Sequence, residues 1–228
     1  MELETAVRFS EIALAFALIL QGLEYCRGLQ SEKALGFISI FLSVLLLVGF
    51  QPVFVEAGLL VVSIISLRRF QGPYNGGSDC MSALVLLCLL LSHIVPTKFW
   101  QEIALGYLAF QLCFSYFQSG YIKIINADWR SGQALHDVFA ITAYPISENI
   151  RRLAHSSRLM LIMSWLVILF ELVFPLSLLN QTTLIIALII AACFHLANAC
   201  LFGLNRFFWI WLSAYPILLW FQARLLAN

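Results

Sequence analysis

The chain has 228 residues, 62% of them hydrophobic and 11% charged, with a formal net charge of +1 and a mean hydropathy of +0.92. A soluble domain carries about 25% charge, so this composition excludes a disordered chain and argues against a soluble enzyme. Near-zero net charge gives no electrostatic argument for a nucleic-acid partner; the partner that composition points to is the lipid bilayer.

At about 20 residues per crossing, the length allows seven to eight spans with short loops. The apolar runs fall at 7–25, 34–50, 53–67, 81–95, 102–124, 158–179, 184–202 and 208–223. Helices are expected, because lipid leaves no partner for an open backbone, and the runs lack the alternation of a membrane barrel. The fold class is therefore all-α, a polytopic transmembrane bundle, read as one domain over residues 1–228. The first run is not a cleavable signal peptide: Glu2 and Glu4 flank it, and no small-x-small site follows. Gln51-Pro52 breaks the second run from the third, a short run that holds Glu56 and is tilted or fused with its neighbour. A polar turn, Arg68 to Asp79, precedes the fourth. Between the fifth and sixth, the apolar stretch Ala134 to Ala143 is too short to span and reads as an interfacial or re-entrant helix. Asn180-Gln181-Thr182-Thr183 and Gly203-Leu204-Asn205-Arg206 separate the last three runs. With eight spans, the positive-inside rule puts Arg27, Lys33, Arg68, Arg69, Arg130, Arg151, Arg152, Arg158 and Arg206 in the cytoplasm and both termini outside.

Charge inside a span costs about 2.5–3.5 kcal/mol even on mild insertion scales, so the polar residues of the runs carry the information. Gln111, Ser115, Ser119 and Lys123 recur every four residues and share one helix face. Lys123 either snorkels to the headgroups or sits desolvated above this stripe as a base. Glu171 lies mid-span, four residues before Pro175, which removes the donor for the Glu171 carbonyl and predicts a kink. It is either a packing residue or a functional one. His195 and Asn198 share a face of the seventh run; an inter-helix hydrogen bond is the plain reading, and a Glu171–His195 pair would satisfy both ends. Glu11 can pair with Arg8 one turn away. An unpaired His93 and Glu56 would suit the proton relay of a small transporter, but repeated halves and broken helices are not evident.

No metal is expected. His93, His136, His155 and His195 form no H-x-x-x-H or H-E-x-x-H pattern, and no C-x-x-C occurs among Cys26, Cys80, Cys88, Cys113, Cys193 and Cys200. Four of these cysteines fall inside runs, where small apolar thiols at helix contacts are the default. Cys26 and Cys80 fall near run ends on one predicted side, so a disulfide between them is open.

The stretch Tyr116-Phe117-Gln118-Ser119-Gly120-Tyr121-Ile122-Lys123, followed by Asn126-Ala127-Asp128-Trp129-Arg130-Ser131-Gly132, resembles the HTTM family, the transmembrane domain of vitamin K-dependent γ-carboxylase and its bacterial relatives. Asn75 to Asp79, Glu171…Pro175, Phe194-His195 and Asn205 to Trp209 add to the likeness, which runs from about residue 74 to 215. The resemblance implies a membrane enzyme in which a lysine deprotonates vitamin K hydroquinone; oxygen then generates a stronger base that takes a glutamate γ-proton before carbon dioxide adds. Lys123 matches that lysine by its place after the glycine, with one extra residue before the Asp-Trp turn. Glu171 and His195 join it as catalytic residues. Gln111, Ser115, Ser119, Asp128, Trp129 and Asn198 would line the quinol or vitamin K-like hydroquinone, with Asp128 able to pair with Lys123 or Arg130. The family's soluble C-terminal region has no counterpart after the last run. Two functions follow: a carboxylase-like membrane enzyme, or a non-catalytic subunit serving a soluble or membrane partner protein in the maturation or export of a secreted peptide. A bacterial inner membrane is the expected location.

Overall fold

The computed structural model describes residues 1–28, 30–69, 76–142 and 148–227. It is 92% helical, with no strand among the described residues. The helices are α1 (Leu3–Arg27), α2 (Gln30–Val48), α3 (Pro52–Arg69), α4 (Gly76–Ile94), α5 (Lys98–Ile125), α6 (Ala127–Ser131), α7 (Gln133–Ile141), α8 (Glu148–Arg152), α9 (Ser157–Val173), α10 (Gln181–Phe202) and α11 (Asn205–Leu226). Every expected apolar run is helical over nearly its whole length. Four helical stretches are long and apolar enough to cross a membrane: Leu3–Arg27, Gly77–Ile94, Ser157–Leu179 and Gln181–Phe202. Their outer faces are rich in bare aliphatic side chains, among them Leu166, Leu169, Ile186 and Ile189, which water would not tolerate in such continuity.

The chain divides into two compact units, Met1–Phe110 with Leu204–Asn228, and Gln111–Gly203. In the first, α1 packs on α2 and α11, α3 on α2 and α4, and α4 on α11. Glycine sets the closest approach of α1 and α2. A Cβ on Gly36 would lie 2.7 Å from the Gly22 carbonyl oxygen and 2.8 Å from Cys26 Sγ, the small-residue contact by which membrane helices gain packing. The α2–α3 break falls where Gln51-Pro52 put it. Gly49 adopts φ +76°, and its N–H and that of Phe50 donate to the carbonyls of Leu46 and Leu45, a left-handed helix stop. Pro52 then opens α3, where its missing N–H costs nothing. So α3 is a separate helix, not fused with α2.

At the other end of this unit, Arg206 joins three helices. Its Nε donates to Glu24 Oε2 at 2.7 Å, its Nη1 lies 3.5 Å from Asp79 Oδ1, and it covers the Tyr25 ring at 4.9 Å. Gln21 donates to Asp79 at 2.9 Å and to Tyr25 at 3.0 Å. Gly77 leaves room for the Phe207 ring, which would lie 2.9 Å from a Cβ there. The sequence stretches around Asp79 and Arg206 are thus one contact; Asn75 lies outside the described residues.

In the second unit, α6, α7 and α9 pack on one another and α10 packs on the segment after α9. The short helix expected at Ala134 to Ala143 is α7; Ala143 lies outside the described residues. Its Phe139 is buried with Met160 and Ala154, edge-on to Phe202 at 5.0 Å. On its exposed side, hydrogen bonds from His136 and then Gln133 hold the Asp137 carboxyl below its ordinary range. The kink expected at Pro175 is instead a change of helix type. The α-helix stops at Val173, and Phe174–Leu179 continues as a 3-10 turn. Proline cannot donate to the Glu171 carbonyl, and the tighter winding absorbs the loss.

All six cysteines are free, so Cys26 and Cys80 are not joined. Cys88 and Cys113 are buried at helix contacts as expected. Cys193 and Cys200, both on α10, are exposed.

Candidate functional site

The site is built within the second unit from the end of α5, the short α6 and the second half of α9. The Lys123 ammonium donates to both oxygens of Glu171, at 2.9 Å to Oε1 and 2.7 Å to Oε2. Their side chains are 17% and 4% exposed. The Trp129 ring stands 5.1 Å from Nζ, close enough for a cation–π contact. Gly120, one turn before Lys123, permits the pairing. A Cβ there would lie 2.8 Å from the Leu172 backbone nitrogen and 3.0 Å from Glu171 Cβ, so only glycine lets α5 and α9 approach closely enough for the charges to meet.

The Asp-Trp turn is held by its own sequence. The Asn126 side chain accepts from the N–H of Asp128 and of Trp129 and so caps α6. Gly132 ends α6 at φ +81°, and a Cβ on it would lie 2.7 Å from the Leu161 backbone nitrogen. Both conditions exclude other residues: the left-handed backbone and the pressure of α9 against the turn. From α9, Ser164 donates to the Trp129 carbonyl, and Trp165 Nε1 donates to the Arg130 carbonyl at 3.1 Å. These bonds fix the indole that covers Lys123.

Beside this pair lies a second one. Tyr116 OH and His195 Nε2 are 2.8 Å apart, both side chains buried. Tyr116 stacks on Phe174 at 4.1 Å and meets Phe170 edge-on at 6.0 Å, and Phe170 in turn lies 6.4 Å from Phe194.

The expected Glu171–His195 pair does not form. Glu171 goes to Lys123, and His195 goes to Tyr116, because α5 supplies a partner to each of α9 and α10. Gln111, Ser115, Ser119 and Lys123 all lie half-buried on α5, but Ser115 spends its hydroxyl on the Gln111 carbonyl at 2.7 Å. Asn198 is half-buried on α10. Asp128 is exposed and makes no ion pair among the described residues; its place in the turn rests on its backbone. Arg130 is exposed too and donates to the Ile124 carbonyl at 2.8 Å. The sequence reading missed Gly120 as a contact, Tyr116 as the partner of His195, and Ser164. The last had a signal: it precedes Glu171 by two helical turns and shares its face.

The HTTM-domain family model matches residues 92–222, more than half of the chain. The chain belongs to the HTTM family. Its domain is the one found in vitamin K-dependent gamma-carboxylase and related proteins. Together with the four apolar helices, this makes the chain an integral membrane protein. No curated protein and no solved structure matches the chain. The whole of the Lys123–Glu171–Trp129 and Tyr116–His195 geometry falls inside the HTTM match.

In the first unit, His93 is not unpaired as expected for a relay. Its Nε2 lies 2.8 Å from Glu11 Oε1, and Arg8 takes the other Glu11 oxygen at 2.7 Å, the one-turn pair read from the sequence.

Proposed function

We propose that this HTTM protein is a carboxylase-like membrane enzyme that takes a quinol, or another lipid-soluble molecule, among the helices of its 111–203 unit and uses Lys123 as the base. The observation that carries the reading is the Lys123–Glu171 pair, nearly dry and fixed by Gly120. A lysine with a carboxylate on Nζ is normally an ammonium and no base. Passing a proton along either of the two short bonds leaves an amine beside a neutral acid, which sheds the desolvation cost of both charges. The free amine can then take a proton from a phenolic O–H, whose acidity in water, like that of tyrosine, is close to that of lysine. Glu171 and the Trp129 face hold the ammonium so formed. The half-buried rings of Phe170 and Phe194, backed by the buried Tyr116 and Phe174 and next to hydrogen-bonding groups, suit a ring-bearing ligand. A bound quinol would supply the acidic O–H and two reducing electrons. The same reading has all eight long helices crossing a bacterial inner membrane.

The test is oxygen consumption by the purified protein in lipid nanodiscs supplied with vitamin K hydroquinone. Wild type should consume oxygen, and Lys123→Ala should not while remaining folded and inserted. Full activity in Lys123→Ala sinks the reading.

A second reading is a non-catalytic membrane subunit for a partner protein, in the maturation or export of a secreted peptide. The observation favouring it is that Lys123 and Glu171 satisfy each other at both oxygens, as a purely structural clamp would. Co-purification with one defined partner, together with no quinol turnover, would decide for it.

A further inference from the structure

Three side chains from three helices converge at one end of the first unit, with no part in the chemistry described above. Glu11 comes from α1, Glu56 from the start of α3 and His93 from the end of α4. One ligand atom of each lies within 4.8 Å of the others. His93 Nε2 is 2.8 Å from Glu11 Oε1 and 3.7 Å from Glu56 Oε1. Tetrahedral binding with metal–ligand bonds near 2.0–2.1 Å separates neighbouring donors by about 3.3 Å, between those two spacings.

The decisive side chain is Glu56. It is fully buried, and neither carboxylate oxygen has a hydrogen-bond partner among the described residues. Ionised, it is a carboxylate without a donor. Protonated, its O–H has no acceptor. Neither state gives Glu56 a hydrogen-bond partner, and ionised it also faces a second carboxylate; a cation between the two removes both costs.

The surroundings are built to aim Glu11. Arg8 donates to Glu11 Oε2 at 2.7 Å and also to the carbonyl oxygens of Leu46 and Leu47 at 2.9 and 2.5 Å. Those carbonyls end α2 just before the left-handed Gly49, whose lack of a side chain lets the guanidinium lie 3.4 Å from the Cβ position. Arg8 therefore occupies one Glu11 oxygen and leaves the other facing His93, the role an outer-shell group plays in a metal site. A cavity of about 490 Å³, lined by Glu11, His93, Arg8, Ser92 and Gln101, reaches the Glu11 and His93 side of the cluster, with Glu56 buried behind it. It offers an access route and leaves coordination positions for water or a small ligand.

We propose that Glu11, Glu56 and His93 form a binding site for one divalent transition-metal ion. Two carboxylates and one imidazole suit the borderline ions from Mn²⁺ to Zn²⁺ better than Mg²⁺, which prefers an all-oxygen octahedron. The ion replaces the His93–Glu11 hydrogen bond, ties α1, α3 and α4 together and neutralises Glu56. This site is independent of the Lys123 reading and of any turnover there.

The experiment uses the full chain in nanodiscs, stripped with a chelator and titrated with Zn²⁺. One ion per chain by elemental analysis is expected, with a chelator-reversible rise in Tm and far weaker binding of Mg²⁺. Co²⁺ loading of wild type should give the absorption bands of a low-coordinate nitrogen–oxygen site, a readout that needs no variant. Glu56→Gln and His93→Gln should each weaken Zn²⁺ binding by roughly tenfold or more. Glu56→Gln removes a buried charge and is the variant expected to stay folded. No saturable binding to wild type, unchanged affinity in both variants, or proton uptake by the cluster with no metal bound would overturn the proposal.

Discussion

Replacing Glu171 by Gln tests whether α5 and α9 are held by charge. The substitution keeps the shape and leaves the Lys123 ammonium, 17% exposed, facing an amide. Removing one partner of a buried pair costs about 3–5 kcal/mol. The Trp129 face and the remaining solvent access of Lys123 return about 1–2 kcal/mol of that, so the net loss is about 1–4 kcal/mol. Lys123→Met strands Glu171, which is 4% exposed, and should cost about 3 kcal/mol. The double variant buries neither charge and should lie within about 1 kcal/mol of wild type. Reversible unfolding in mixed micelles gives all four stabilities, and the cycle should return a coupling of at least about 2 kcal/mol. A coupling below about 0.5 kcal/mol would mean that the two charges are solvated separately, and the reasoning from a dry, glycine-enabled pair fails.

Gly120→Ala should push α5 from α9, because the new methyl meets the Leu172 backbone at 2.8 Å; Gly106→Ala, whose nearest neighbour is the Phe221 ring at 3.4 Å, should be tolerated. Comparing the two Tm values checks it, with equal shifts counting against the contact. Tyr116→Phe removes the hydroxyl from a buried bond to His195 and should cost about 1–3 kcal/mol in the same unfolding assay; a neutral result would place that hydroxyl in water. Gly132→Ala combines a left-handed backbone with a clash against Leu161 and should lose more than about 2 kcal/mol. An unchanged Tm would refute the account of the turn.

Helix positions were legible because lipid enforces one rule, that every backbone group be paired within its own segment. That rule gave the apolar runs their boundaries, and Gln51-Pro52 and Gly203 marked ends that local chemistry alone dictates. It also drew attention to Lys123, Glu171 and His195, since charge inside such runs is scarce enough to be noticed residue by residue. Partners were another matter. Period-four spacing placed Gln111, Ser115, Ser119 and Lys123 on one face, but nothing in that spacing says which helix lies opposite.

Tertiary structure decided the pairing. Glu171 met Lys123 rather than His195 because Gly120 opens α5 to α9 at that level, and Tyr116, a turn earlier, was left for His195. Glu11, Glu56 and His93 are far apart in sequence and match no ligand pattern, so their convergence exists only once α1, α3 and α4 have packed. Composition and local geometry fix what each segment is, since those forces act over a few residues. Which charges neutralise one another depends on contacts across the bundle, where a single glycine sets the distance.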